Sequence, residues 1–356
     1  MLGALRFILR GAFAALLVLP AVGCSLPQNG IGDDAGPRRD AGPRMDAALR
    51  DGGARDAAGV DGASPDGASR DGGFDGGVDA GPPIECDSTT CPAPGECMGG
   101  VCTFNCRGGA CSDPFVCPPS LPCSVECDSN CPSIDCGDAT SCTVDCTRND
   151  SCPEPIHCGR GACTVDCDGD RSCQQGVSCE GDVCDIRCSG PDACPAPVEC
   201  DSPSCTIDCT GSRTCHANTT CTGSGTCDLT CGTDSCTGDV TCTSSTACNI
   251  ACAGDRSCTA GLDCTSALCD FACGGDDTCD NPTCSGARCD LTCDGRRTCD
   301  AIDCTSAGDC NALCAGDDAC QNAVQCTGTQ CVDCSGVRVC INGLAGGCMH
   351  DMGACP

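Results

Sequence analysis

The sequence predicts an all-β chain, a disulfide-stapled β-solenoid of about 12 coils of ~21 residues, preceded by a disordered linker. Three observations predict it. Cysteines recur in groups of four, and the first of each group falls at 102, 123, 142, 163, 184, 205, 227, 248, 269, 289, 310 and 331, a step of 19 to 22 residues. A unit that short can bury an apolar face only against its neighbours. Within a unit the residues alternate: in CTVDC, Cys163, Val165 and Cys167 share one face of an extended strand, and Thr164 and Asp166 the other. Finally, two apolar columns follow the period. One runs from Phe104 and Val125 to Leu291 and Ala312, the central inward position of that strand. The other runs from Phe115 and Ile134 to Ile302 and Val324, two residues before the fourth cysteine, with Thr219 and Pro282 as weak rungs.

Two columns imply a flattened coil with two short strands. The longer link between strands reads C-x-G-x-[D/R]-[S/T/A]-C, and its glycines, such as Gly169, Gly190, Gly211 and Gly254, are expected to adopt φ > 0. Composition agrees with a stapled fold. There are 53 Cys and 48 Gly but six Phe and neither Trp nor Tyr, so the large side chains of an ordinary core are missing and covalent bridges must supply order.

In chain order, residues 1–24 read as an export signal. Arg6 and Arg10 precede the apolar run Gly11–Leu19, and Ala21-Val22-Gly23-Cys24 supplies small residues at a cleavage site. Residues 25–84 form a tether of Asp, Gly, Ala, Pro and Arg, with Asp46, Asp51, Asp56, Asp61, Asp66 and Asp71 at a regular interval and too little apolar content to fold. Such a chain spans about 40 Å r.m.s.. The repeats occupy 85–340, and 341–356, with the Gly-rich stretch GLAGGCMHDMGAC that holds Cys348 and Cys355, is expected to cap them.

The Gly23-Cys24 junction resembles the lipobox of bacterial lipoproteins, with Ala21 where Leu is usual. The resemblance implies lipidation of Cys24, and Ser25 after it implies the outer membrane. The whole order of lipobox, Asp/Ala/Gly/Pro linker and cysteine repeats resembles the cysteine-rich tandem-repeat surface lipoproteins of gliding soil bacteria, a group that brings no activity to carry over. Without Cys24, 52 cysteines remain, an even number. Pairing them two at a time as sequence neighbours gives Cys86–Cys91 and Cys97–Cys102, then Cys146–Cys152, Cys158–Cys163, Cys167–Cys173 and Cys179–Cys184, and finally Cys348–Cys355.

The chemistry open to such a chain is narrow. The net charge of −31 and the absence of any Lys exclude a phosphate-neutralising patch, so no nucleic-acid partner is expected. The three histidines, His157, His216 and His350, sit in unrelated contexts, so no catalytic site is expected. Thiolate metal clusters favour closer cysteine spacings than these, and export oxidises thiols. No cofactor is expected beyond calcium, for which Asp255 and Asp276 are the best neighbouring candidates in turns on adjacent coils. An ice-binding face would need a flat T-x-T array, and the outward pairs of the CTVDC strand (Thr164/Asp166, Asp185/Arg187, Thr206/Asp208, Asp228/Thr230) are mixed and charged.

One edge carries a pattern of its own. Two residues before the third cysteine of successive units stand Asp150, Arg171, Asp192, Arg213, Asp234, Arg256, Asp277, Arg297, Asp318 and Arg338. Stacked in register, they form a column about 4.8 Å apart in which every charge is expected to meet its opposite above and below. The function this sequence supports is a non-catalytic structural or adhesive cell-surface lipoprotein. Its partners would be the membrane, through the lipid, and a protein or polysaccharide surface. The rival function is a calcium-dependent binding module.

Overall fold

The chain divides between Asp75 and Gly76 into two units. The computed structural model describes residues 86–335, apart from 88 and 110, and the strand 344–350, all in the second unit. Cys24, the tether, Arg338 and Cys355 lie outside these residues.

The described chain is a β-solenoid of about eleven turns of ~21 residues. Each turn contributes one strand to each of two parallel ladders. The first holds the CTVDC-type strands, among them β4 (Pro122–Cys127), β6 (Ser141–Cys146), β8 (Ala162–Asp166), β10 (Cys184–Arg187) and β12 (Ser204–Cys209). The second holds β7 (Ile156–Cys158), β9 (Val177–Cys179), β11 (Val198–Asp201), β13 (Thr219–Gly223) and β15 (Val240–Ser244), with their counterparts in the other turns. In β17 (Leu262–Cys273), β18 (Pro282–Cys293) and β21 (Val324–Cys334) the two strands of a turn run together through the short link. Pairing is parallel and in register, Cys163 on Cys184 on Cys205 in the first ladder and Val177 on Val198 on Thr219 in the second. At ~4.8 Å per turn the stack is about 50 Å long.

Register follows from burial, since a one-residue slip would expose every rung. Both columns are inside: Phe104, Val144, Val165, Ile186 and Ile207 in the first ladder and Ile134, Val198, Leu262 and Val324 in the second have no exposed surface. Each aliphatic rung contributes about 1.5–3 kcal/mol. Thr219 is the weak rung expected, buried with no hydrogen-bond partner for its hydroxyl.

From Cys106–Cys111 to Cys314–Cys320 every described bridge joins sequence neighbours, including Cys146–Cys152, Cys158–Cys163, Cys167–Cys173 and Cys179–Cys184. Each closes one edge of a coil, and a loop of that length is worth about 2 kcal/mol in the chain-entropy account. The first coil departs from the rule. There the bridges are Cys86–Cys97 and Cys91–Cys102, not Cys86–Cys91 and Cys97–Cys102. The cause is a hairpin absent from other units: β1 (Glu96–Met98) turns through Gly99 and Gly100, at φ 61° and 85°, into the antiparallel β2 (Val101–Asn105). The leading segment folds back over the end of the stack, so closely that a Cβ on Gly95 would lie 2.9 Å from the Phe104 ring. Phe104 in turn stacks on Phe115, centroids 4.5 Å apart.

The other end also differs from expectation. Because Cys331 and Cys334 are close in sequence, the unbroken register that sets Cys334 on Cys314 puts Cys331 opposite Asn311 rather than Cys310. The segment expected as a looped cap supplies β22 (Leu344–His350), parallel to β21 with one register shift. The expected Cys348–Cys355 bridge lies outside the described side chains.

The turn glycines do a different job from the one expected. Gly169, Gly190, Gly211 and Gly254 are not left-handed; instead the coils approach so tightly there that a Cβ has no room. On Gly295 it would lie 2.0 Å from the Gly275 carbonyl oxygen of the preceding coil, whereas on Gly274 it would meet nothing within 4 Å. With disulfides intact, Gly295→Ala is therefore expected to cost about 1–3 kcal/mol as overpacking does, and to lower the thermal midpoint. Gly274→Ala should leave that midpoint nearly unchanged, and equal losses in the two variants would contradict the close-approach account.

Candidate functional site: the ion-pair edge and the outward faces

The edge closed by bridges such as Cys167–Cys173 carries the alternating charges. Left-handed backbone falls on the charged residue itself, with φ from 54° to 60° for Asp150 through Asp318, and again on the cysteine two residues later. Non-glycine residues enter this region at a cost, more for Arg than for Asp. Hydrogen bonds between coils offset it. From Asp150 to Arg297 each charged residue's amide donates to a carbonyl of the next coil, as Arg171 N to Pro191 O at 2.9 Å and Arg256 N to Asp276 O at 2.8 Å. The cysteine's amide donates to the preceding coil, as Cys194 N to Ser172 O at 3.0 Å. Between them sits a buried small residue whose hydroxyl, where present, donates within the turn: Ser172 Oγ to Gly169 O at 2.8 Å, Thr278 Oγ1 to Gly275 O at 3.0 Å.

The nine described charges, Asp150 to Asp318, are brought onto one edge, and the structure refines their pairing. Three of the arginines form a fork with the Asp of the coil before: Arg171 with Asp150 at 2.9 and 2.7 Å, Arg213 with Asp192 at 2.6 and 2.7 Å, and Arg256 with Asp234 at 2.6 and 2.7 Å. Arg297 pairs with Asp277 at 2.5 Å. Pairing both above and below is not found. No described ion pair joins Arg171 to Asp192, Arg213 to Asp234 or Arg256 to Asp277, because the guanidinium fork is spent on one carboxylate. The column is a stack of dyads. Hydrogen bonds from Arg171, Arg213 and Arg256 hold the carboxyls of Asp150, Asp192 and Asp234 below their ordinary values. These groups therefore contribute stability above the ordinary aspartate value and lose it as pH falls.

The calcium candidates sit one residue before this column. Asp255 and Asp276 do lie on adjacent coils, but Asp255 Oδ1 accepts the Asp276 amide at 3.0 Å and Asp276 Oδ1 accepts the Arg296 amide at 3.0 Å. Their carboxylates cap backbone. Sulfurs also come close in threes, as Cys146, Cys167 and Cys173 do, yet all three are in disulfides and offer no thiolate.

The outward face of the first ladder is charged. Glu126, Asp145 and Asp166 stack on successive strands. Arg107 meets Glu126 at 2.9 Å and Arg187 lies 3.8 Å from Asp166, so cations close the row at both ends. Asp145 between them has no ion pair among the described residues. Burial, then the charges of Glu126 and Asp168, push its carboxyl up; burial does the same for Asp166. Further along, amides separate the acids: Asn249 donates to Asp228 at 2.6 Å and Asn311 to Asp290 at 2.8 Å. His157 is exposed on the second ladder, and His216 Nδ1 lies 2.9 Å from the Thr237 hydroxyl.

The second ladder's outward pairs escaped the sequence argument, which weighed only the first strand of each unit. TTCT at 219–222 and VTCT at 240–243 present Thr220/Thr222 and Thr241/Thr243, and register aligns the two pairs directly. The signal was the T-C-T triplet itself.

No protein-family model matches this chain, and neither a curated protein nor a solved structure does. Function rests on the geometry alone.

The Asp145 environment generates a signed prediction. A carboxyl whose folded value is raised loses stability as pH rises through that value, so Asp145 opposes folding at neutral pH. Asp145→Asn, which imitates the amide spacing of Asn249 and Asn311, is expected to raise the thermal midpoint at pH 7. The gain should vanish once pH is well below the ordinary aspartate range, where the wild-type carboxyl is already neutral. A lower midpoint at pH 7 would contradict the assigned cause.

Proposed function

We propose that this chain is a non-catalytic, tethered rod of the bacterial cell surface, structural or adhesive, lipidated at Cys24 and held off the outer membrane by residues 25–84. The observation that carries the proposal is the stapled stack itself, in which each described coil from Cys106 to Cys320 is closed at both edges by a disulfide and joined to its neighbours by in-register ladders. Such an object resists unfolding because the bridges restrict the unfolded chain and the ladders leave no long unpaired segment. Export suits it, since disulfides persist outside the cytosol. The Gly23-Cys24 junction and the even count of 52 remaining cysteines favour lipidation of Cys24.

Replacing Cys24 with Ser and fractionating cells tests the anchor. The wild-type chain is expected in the membrane fraction and the variant in the soluble exported fraction. An unchanged membrane-bound pool would overturn the lipid tether.

A further inference from the structure

The outward face of the second ladder differs from the rest of the surface. From β13 to β18 its strands are in register, with Thr220 on Thr241 on Asp263 on Thr283 in one column and Thr222 on Thr243 on Thr265 on Ser285 in the other. The first column continues to Asp303, with Thr305 two residues on. Parallel strands set the rows ~4.8 Å apart, and alternate residues set the columns ~6.6 Å apart. Eight of these ten positions are uncharged hydroxyls in a chain of net charge −31.

Seven of the eight are also unspent, the exception being Thr305, whose Oγ1 donates to Asp303 at 2.7 Å. Among the described residues, the side-chain oxygens of Thr220, Thr222, Thr241, Thr243, Thr265, Thr283 and Ser285 make no hydrogen bond to protein, in contrast to the turn hydroxyls of Ser172, Thr278 and Thr298. The array is stiff. The β-branch restricts each threonine at χ1. The central cysteine of each strand is bridged to the next strand of its coil, as in Cys221–Cys227, Cys242–Cys248 and Cys264–Cys269. Little side-chain or backbone entropy is left to lose on docking.

We propose that this face binds ice. Its electrostatic complement is an uncharged partner that donates and accepts hydrogen bonds at a regular interval in two dimensions, and the rows of oxygen atoms on ice repeat close to the spacing between strands. A single glycan chain is a poorer match. It would want aromatic rings to stack on, and the described face has none. Each added row multiplies the contact without new ordering, so binding depends on several rows acting together. The proposal does not depend on the lipid anchor.

The test uses the full mature chain, purified with its disulfides intact, in ice-affinity partitioning and thermal-hysteresis measurements. Wild type is expected to enter growing ice and to depress its growth temperature. The triple variant Thr222→Lys, Thr243→Lys, Thr265→Lys should lose about tenfold or more of that activity. A control triple on the first ladder, Thr143→Lys, Thr164→Lys, Thr206→Lys, should keep it. If the lysines compromise folding, Thr222→Val with Thr243→Val, which preserves shape and strand propensity, should still lower activity. Exclusion of wild type from ice overturns the proposal, as does equal loss in both triples or full activity in the valine variant. Binding to insoluble cellulose that the face variant abolishes, without ice adsorption, would overturn it in favour of a glycan face.

Discussion

The fold depends on how closely its coils approach at the stapled edge. There the chain is not strand, yet amides still reach carbonyls of the coils above and below, Arg213 N to Thr233 O at 3.1 Å and Cys215 N to Ala193 O at 3.3 Å. Glycine is required where one coil's Cα lies against the last coil's carbonyl. The left-handed Asp, Arg and Cys residues are tolerated because they aim those amides along the axis. The disulfide holds the loop in that shape, so bridge, glycine and cross-coil bond are parts of one device repeated along the stack. The apolar columns fill the interior, but they are narrow, one side chain per strand, and could not order a chain this poor in large residues alone.

Stacking acidic sequence in register brings like charges together. The chain answers in three ways: Arg–Asp forks along the turn edge, amides set between acids on the first ladder, and carboxylates that cap the next coil's amide. Where none of these operates, as at Asp145, burial and then the neighbouring acids push the carboxyl up. The second ladder's hydroxyl face is a fourth solution, in which charge is mostly left out.

Much of this was legible in the sequence because the period is so regular. Strand alternation, the two columns, the weak Thr219 rung and neighbour pairing of cysteines all follow from residue type at fixed spacing. The alternating Asp/Arg column was visible too, though not its grouping into dyads, which depends on how a guanidinium fork commits to one carboxylate. The failures have local causes. Cys86, Cys91, Cys97 and Cys102 pair across one another because a Gly-Gly hairpin reverses the chain there, a turn signal outvoted by the repeat. The turn glycines look like φ > 0 positions by composition, but steric room between coils is a property of the stack. Thr220/Thr222 and Thr241/Thr243 went unweighed because the CTVDC strand drew attention away from the second strand.

The central claim is that cross-coil bonds at the stapled turns, and not the strands alone, lock the stack. Amide hydrogen exchange on the disulfide-intact chain tests it most directly. The turn amides of Arg171, Asp192, Arg213 and Arg256, outside any strand, should be protected as strongly as the strand amides of Val165 and Ile186. Exchange of those turn amides at the rate of an open surface loop, with the strand amides still protected, would contradict the account.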